Sequence, residues 1–327
     1  MLPTLTDLLA TSRVVSIPLH QRFRGIDSRE AMLFEGPEGW TEFSPFAEYA
    51  DEEASAWLAG SLEFGWSAAP PLLHASVAVN ATLPAVGADL VADVLDRFAG
   101  CRTVKIKVAE PGQTLADDVA RVAAARDYVG VEGRIRIDAN GLWNVDEAEH
   151  AIHALAEYDL EYVEQPCTSL DELWQVRQRV KYMGVPIAAD ESVRKAADPL
   201  KVARQEAADI LVVKAQPLGG ISRVLGLGAQ TGLPFVVSSA LETSVGIAMG
   251  LHLAAALGEL PFDCGLGTVN LLAGDVTGDS LVPVDGRIEV RRVAPDARLL
   301  DEHAASAERT EWWNARLERC LGLLPAG

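Results

Sequence analysis

Cysteine and histidine are scarce in this 327-residue chain, which has four of the first and six of the second. Cys101, Cys167, Cys264 and Cys320 are scattered, with no CxxC pair. That excludes a disulfide framework and a thiolate zinc site, and points to reduced thiols in a cytoplasmic protein. The histidines show no HxxxH spacing and receive no catalytic or metal-binding role. No apolar run approaches 18 residues, so no membrane span is expected. MLPTLTDLLATSRVV lacks the basic start and long apolar core of a signal peptide. Basic residues number 28 against 47 acidic ones, for a net charge of −19, which leaves no basic face for a nucleic-acid partner. No GxGxxG is present either: GIDSREAMLFEG and PLGGISRVLGLG do not match it, which argues against a dinucleotide-binding open sheet.

What is there has a rhythm. An early run, ASVAVNATL (75–83), is followed by TVKIKVA (103–109), RIRIDAN (134–140), EYVEQP (161–166), PIAADES (186–192), DILVVKAQ (209–216), PFVVSSALE (234–242) and DCGLG (263–267). Amphipathic stretches such as TLADDVARVAAARDYV and SLDELWQVRQRVKYM lie between them. Eight short strands alternating with helices predict an α/β parallel barrel. Residues 1–72 read differently: RVVSIPLHQRF, EAMLFEG and TEFSPF form an antiparallel meander with a turn at GPEGW, then a helix at YADEEASAWLAG. The expected division is an α+β domain over 1–72 and a barrel over 73–299. A helix expected in 300–327 packs back on the first domain, with Trp312 and Trp313 as packing residues.

Residues i and i+2 of a strand share a face. Lys105 and Lys107 therefore point the same way, and Arg134, Arg136, Asp138 and Asn140 share one face of the next strand. Charge on an inner face is costly unless paired or used, so a buried ion-pair layer is one reading. The series across strands is more specific. Asp138, Glu164 and Asp190 end three consecutive strands at intervals of 26 residues. Such a trio repels unless a cation neutralises it, and oxygen donors without His or Cys favour Mg²⁺, then Mn²⁺. The competing role for the acids is capping the following helices. Lys214 ends the sixth strand, opposite Lys105 and Lys107 on the second. A Schiff-base nucleophile is an alternative for it, disfavoured by the carboxylates nearby.

The set KIK, DAN, EQP, ADES and VVKAQPLGG resembles the enolase superfamily, in the branch with paired barrel lysines, over most of the chain. The resemblance implies a modified (β/α)7β barrel beneath an N-terminal capping domain, and a lysine base with Mg²⁺ stabilising an enediolate. On that basis Lys107 removes the α-proton of a carboxylate substrate and returns it to a departing hydroxyl. Lys105 holds a carboxylate oxygen and depresses the pKa of Lys107. Asp138, Glu164 and Asp190 bind the metal, and Lys214, held by Glu191, stabilises the intermediate from the other face. RFRGIDSRE, GWTEFSPFAEY and SSALETSVG narrow the resemblance to members that dehydrate a succinyl-substituted cyclohexadiene carboxylate to an aromatic acid. Asn140, Arg24 in a lid with Gly25, Ser239 and Gly265 to Thr268 are the expected substrate contacts, the last group through backbone N–H.

Two rivals stand beside this reading. A racemase or epimerase of N-succinylamino acids uses lysines on both faces of the same fold. A barrel that binds a metabolite without catalysis belongs to another class. The expected partner is a small carboxylate, with no nucleic acid and no membrane, and the sequence carries no sign of oligomeric state.

Overall fold

The computed structural model describes residues 3–194 and 198–325. The last two residues of the C-terminal segment, and residues 195–197 of the barrel segment, lie outside that range. A short helix, Leu5–Thr11, precedes three antiparallel strands: β1 (Arg13–Phe23), β2 (Ile26–Gly36) and β3 (Gly39–Phe43), in the order β1-β2-β3. Arg24 and Gly25 join the first two with φ of 50° and 78°, and Phe23 pairs directly with Ile26. Two left-handed residues in a two-residue hairpin loop match the twist of the flanking strands. The helix Asp51–Trp66 follows, longer at its C-terminal end than YADEEASAWLAG suggested.

One face of this sheet is covered from both ends of the chain. Met32, Phe34 and Phe43 pack with Trp57 and Leu62 of that helix, and with Trp313, Leu317 and Cys320 of the helix Ala307–Leu323. Trp57 and Trp313 are fully buried; at about 25 cal/mol per Å² of apolar surface removed from water, two such indoles are leading contributors here. The C-terminal segment is two helices, not one: Ala297–Glu302 ends at His303, and Ser306 caps the second by accepting from Arg309 N.

The second layer is a seven-stranded parallel sheet in the order β11-β10-β9-β8-β7-β6-β5. Its members are β5 (Ala81–Leu83), β6 (Thr103–Lys107), β7 (Arg134–Asp138), β8 (Leu160–Glu164), β9 (Ile187–Ala189), β10 (Ile210–Val213) and β11 (Phe235–Val237). Two single bridges close it: Cys264 pairs with Val79, and Gly265 with Ser238, both parallel. The molecule is thus a modified (β/α)7β barrel with an α+β cap.

Two expected strands come out altered. ASVAVNATL splits, because β4 (Ser76–Ala78) pairs antiparallel with β12 (Arg287–Glu289) before the chain enters the barrel as β5. DCGLG never becomes a full strand. Gly265 passes so close to Ser238 that an added Cβ would lie 2.5 Å from its Oγ, and the pairing ends after one rung on each side.

The lower barrel is filled by Tyr162, Ala188, Ile210, Val212 and Val236, with Phe262 against them. Arg136 spans this layer, stacked 4.8 Å over Tyr162, paired with Glu161, and donating to Asn80 Oδ1 at 3.1 Å and Asp263 O at 2.7 Å. A shift of register between Ile135 and Arg136 restores alignment beyond it, so that Lys107, Asp138 and Glu164 lie on one rung. No helix among the described residues is long and apolar enough to cross a membrane.

Cap and barrel meet at a buried carboxylate. Glu42, on β3, accepts from Ser44 Oγ at 2.6 Å, and from Thr243 N at 3.0 Å and Gly246 N at 3.2 Å at the start of the barrel helix Ser244–Ala256. Burial, with the neighbouring Glu242 charge, pushes Glu42 up to about 7. The native state therefore keeps a proton that the unfolded chain releases near its ordinary value of 4.5. This contribution is complete below that value and declines as pH rises through 7, by on the order of 3 kcal/mol. Thermal unfolding at pH 5 and pH 8 is expected to show a smaller loss of stability across that interval in Glu42→Gln than in the unsubstituted protein. Equal losses would contradict it.

Candidate active site

Each strand that points a charged side chain up the barrel ends at the same mouth. Lys105 and Lys107 come from β6, Asp138 ends β7, Glu164 ends β8, Asp190 follows β9 and Lys214 follows β10. All six are buried. Lys105 Nζ lies 2.8 Å from Glu164 Oε1 and 3.2 Å from Asp138 Oδ2. Lys107 Nζ donates to Asp138 Oδ2 at 2.6 Å and to Asn140 Oδ1 at 2.7 Å. Lys214 Nζ donates to Asp190 Oδ2 at 2.5 Å. Strand parity places Lys105, Lys107 and Asp138, and the spacing of strand ends places Glu164, at this one mouth. Asn140 arrives otherwise: β7 has ended, and a left-handed φ of 48° turns its side chain toward Lys107.

Burial works against every charge here. At Lys105 it is outweighed by Glu164 and Asp138, which hold the ammonium well above the usual lysine range. At Lys107 burial prevails over Asp138, and the Lys105 ammonium adds to it, so the pKa is lowered. Asp138, against burial, is drawn well below the carboxylate range by Lys107 and Lys105. Burial and the Asp138 charge push Glu164 up to about 7. Lys214 and Arg194 overcome burial at Asp190 and bring it down to about 2. The pair on β6 is thereby differentiated: Lys105 is a fixed cation, and Lys107 is the lysine closer to giving up its proton.

The cleft above these groups measures about 440 Å³ including its open mouth. Its floor is Lys105, Lys107, Asp138, Asp190 and Lys214, with Glu164 beneath. Arg24, Ser239, Gly265 and Thr268 line its walls as expected. The Gly265 amide, however, is spent on Val237 O at 2.8 Å and is not offered to the cleft. Ser239 Oγ donates to Gly265 O at 2.6 Å and meets Thr268 Oγ1 at 2.8 Å. Glu191 does not hold Lys214. It accepts from Asn140 Nδ2 at 3.2 Å and Arg194 Nη2 at 2.9 Å, because Asp190 already occupies the lysine.

Among the described residues, no three His, Cys, Asp or Glu side chains already converge as a metal cage. The lysine ammoniums pair with these carboxylates as counter-charges. The donors nonetheless suit a hard divalent ion: all three acids are buried, and Glu164 Oε2 and Asp190 Oδ1 have no hydrogen-bond partner. Glu164 Oε2, a buried carboxylate oxygen left without a donor, is the feature such an ion would satisfy; Asp190 Oδ1 has only the Arg194 guanidinium, 3.3 Å away.

Several contributors were not foreseen. Phe23 and Phe46 reach the cleft from the cap, and Thr82 and Leu241 from the barrel. Arg194 sits 3.3 Å from Asp190 Oδ1 at i+4, a spacing visible in ADESVR, and its Nη1 lies 3.2 Å from the cap's Tyr49 hydroxyl. Gln165 is fully buried with φ of 40°. Its Oε1 accepts from Asp190 N at 2.9 Å and Ser192 N at 3.2 Å, while its Nε2 donates to Cys167 O and Ser192 Oγ. It pins the turn that presents Asp190. Gln165→Ala leaves two buried amides without an acceptor and is expected to cost about 2–4 kcal/mol in thermal or denaturant unfolding. An unchanged midpoint would show that the turn holds itself.

Residues 14–65 match the family described as Enolase N-terminal domain-like, and residues 89–296 the one described as Enolase C-terminal domain-like. The chain is 52% identical over 323 residues to an o-succinylbenzoate synthase of Mycolicibacterium smegmatis, covering 98% of each. It is 51% identical over 325 residues to the o-succinylbenzoate synthase of Mycobacterium tuberculosis, covering 99% of this chain and 98% of that one. A solved dipeptide epimerase of Enterococcus faecalis V583, complexed with Mg and the dipeptide L-Leu-L-Tyr, superposes with a TM-score of 0.70 at 24% identity, over 87% of this chain and 97% of that one. That likeness speaks for the fold alone. The chain belongs to the enolase superfamily and, within it, to the family of o-succinylbenzoate synthases.

Proposed function

We propose that this chain is a cytoplasmic o-succinylbenzoate synthase of menaquinone biosynthesis. It would dehydrate 2-succinyl-6-hydroxy-2,4-cyclohexadiene-1-carboxylate to o-succinylbenzoate. The observation that carries the reading is the buried pair Lys105 and Lys107 facing Lys214 across Asp138, Glu164 and Asp190. The division into a cap over 1–72 and a barrel over 73–299, with 300–327 returning to the cap, is part of the same reading.

Asp138, Glu164 and Asp190 are the residues that would hold Mg²⁺, or Mn²⁺, which when bound supplies Lewis-acid stabilisation of the substrate carboxylate. The chain's own residues do the rest. Lys107 takes the proton from the ring carbon bearing the carboxylate, and the C–H electron pair moves into an enediolate. Its lowered pKa makes the neutral amine accessible. Lys105 stays charged and binds a carboxylate oxygen. Lys214 compensates the enediolate from the far side of the barrel. The Lys107 ammonium then gives its proton to the ring hydroxyl as the C–O bond breaks. Water leaves, and the electron pair completes the aromatic ring. Asn140, in contact with Lys107, orients the amine, and Arg24 and Ser239 line the space for the succinyl arm.

A second reading rests on one observation: lysines stand on both sides of the carboxylates, as a two-base N-succinylamino acid racemase requires. Incubation of the purified protein and Mg²⁺ with the cyclohexadiene acid and, separately, with N-succinylamino acids tests both. Dehydration is expected, falling by about 10²–10⁴-fold in Lys107→Ala. Racemisation without dehydration, or undiminished turnover in the variant, would overturn the proposal.

A further inference from the structure

We propose that Arg29, a cap residue outside the cleft, is a positioning residue that sets the wall against which the succinyl arm of the substrate packs. This rests on the o-succinylbenzoate synthase reading for the identity of that arm. Arg29 lies on β2 and is 2% exposed, yet its guanidinium crosses into the barrel. Nε donates to Leu241 O at 3.1 Å, Nη2 to Ala240 O at 3.2 Å and to Ser44 O, and Nη1 to Glu30 O at 3.2 Å. Four carbonyls, two from each domain, converge on one planar cation. A fork of fixed N–H directions can do this, and a lysine ammonium cannot reproduce it.

The gripped segment is under strain. Leu241 is buried with φ of 67°, a conformation unfavourable for a non-glycine residue that persists where its surroundings impose it. Ala240 and Leu241 line the cleft beyond β11, four places round the barrel from the β7 strand that ends in Asp138. With the substrate carboxylate held beside Asp138, as the proposed function has it, they would face the part of the substrate remote from it. Arg29 also lies 4.3 Å from the centroid of the Phe46 ring, and Arg24 of the lid hairpin lies 4.4 Å from it. One buried guanidinium thus supports the loop wall directly, and supports the aromatic platform under Arg24.

Such a residue acts on binding of the arm and leaves the chemistry at Lys107 in place. Steady-state dehydration kinetics with Arg29→Lys and Arg29→Gln, each checked for a cooperative thermal transition, reads this out. KM is expected to rise at least about tenfold with kcat within about threefold, and Arg29→Lys is expected not to rescue. By calorimetry, o-succinylbenzoate is expected to lose affinity to the same degree. A folded variant with unchanged KM, or one that loses kcat alone, overturns the proposal. If neither variant folds, Phe46→Leu, which leaves the Arg29 hydrogen bonds intact, must raise KM, and an unchanged KM overturns it. Failure of the functional reading is distinct, because there the unsubstituted protein itself does not dehydrate the substrate.

Discussion

Three carboxylates brought to one mouth of a barrel cannot stay charged without matching cations. Two unit charges 4 Å apart interact by about 4 kcal/mol at the effective dielectric near protein groups, and Asp138, Glu164 and Asp190 are buried. The chain meets this cost with Lys105, Lys107 and Lys214, each within 3.2 Å of an acid. Removing one member of such a set leaves an uncompensated buried charge, which is more damaging than the intact set is stabilising. The arrangement also divides labour: Glu164 and Asp138 keep Lys105 protonated, while burial and the Lys105 charge leave Lys107 depressed.

Backbone conformation is spent around that charge. Ala109, Asn140 and Gln165, each just beyond β6, β7 or β8, have positive φ without being glycine, as does Leu241 beyond β11. Positions of this kind concentrate where the surroundings over-determine them. Here the surroundings are hydrogen bonds from other elements: Asn140 to Lys107 and Glu191, Gln165 to the Asp190 turn, and Arg29 to Leu241. The cap is therefore part of the site. It contributes Phe23 and Phe46 to the cleft, Tyr49 to Arg194, and Glu42 to the helix behind the seventh strand.

The barrel and its charged floor were legible in the sequence because a strand has period two. KIK and RID place their charges by parity alone, and the even spacing of Asp138, Glu164 and Asp190 reports the repeat of one βα unit. Parity stops where strands stop. Asn140 was assigned to the right place for the wrong reason, and Gln165, though part of EQP, could be given no role by parity because a left-handed turn sets its direction. The role of Arg29 was beyond reach, since Ala240 and Leu241 lie about two hundred residues away and no local pattern records such contacts. The split of ASVAVNATL and the single-rung closure at Gly265 are likewise tertiary outcomes. They depend on β12 and on Ser238, neither of which a reading of the segment itself includes.

The proposed function requires the three buried carboxylates to form a single divalent-cation site, which the lysine ammoniums otherwise neutralise. Calorimetric titration of the protein with Mg²⁺, beside Glu164→Gln, addresses it directly. The account predicts one ion per chain, with affinity falling by more than about a hundredfold in the variant. Equal affinity in the two proteins, or no saturable binding to either, would contradict it.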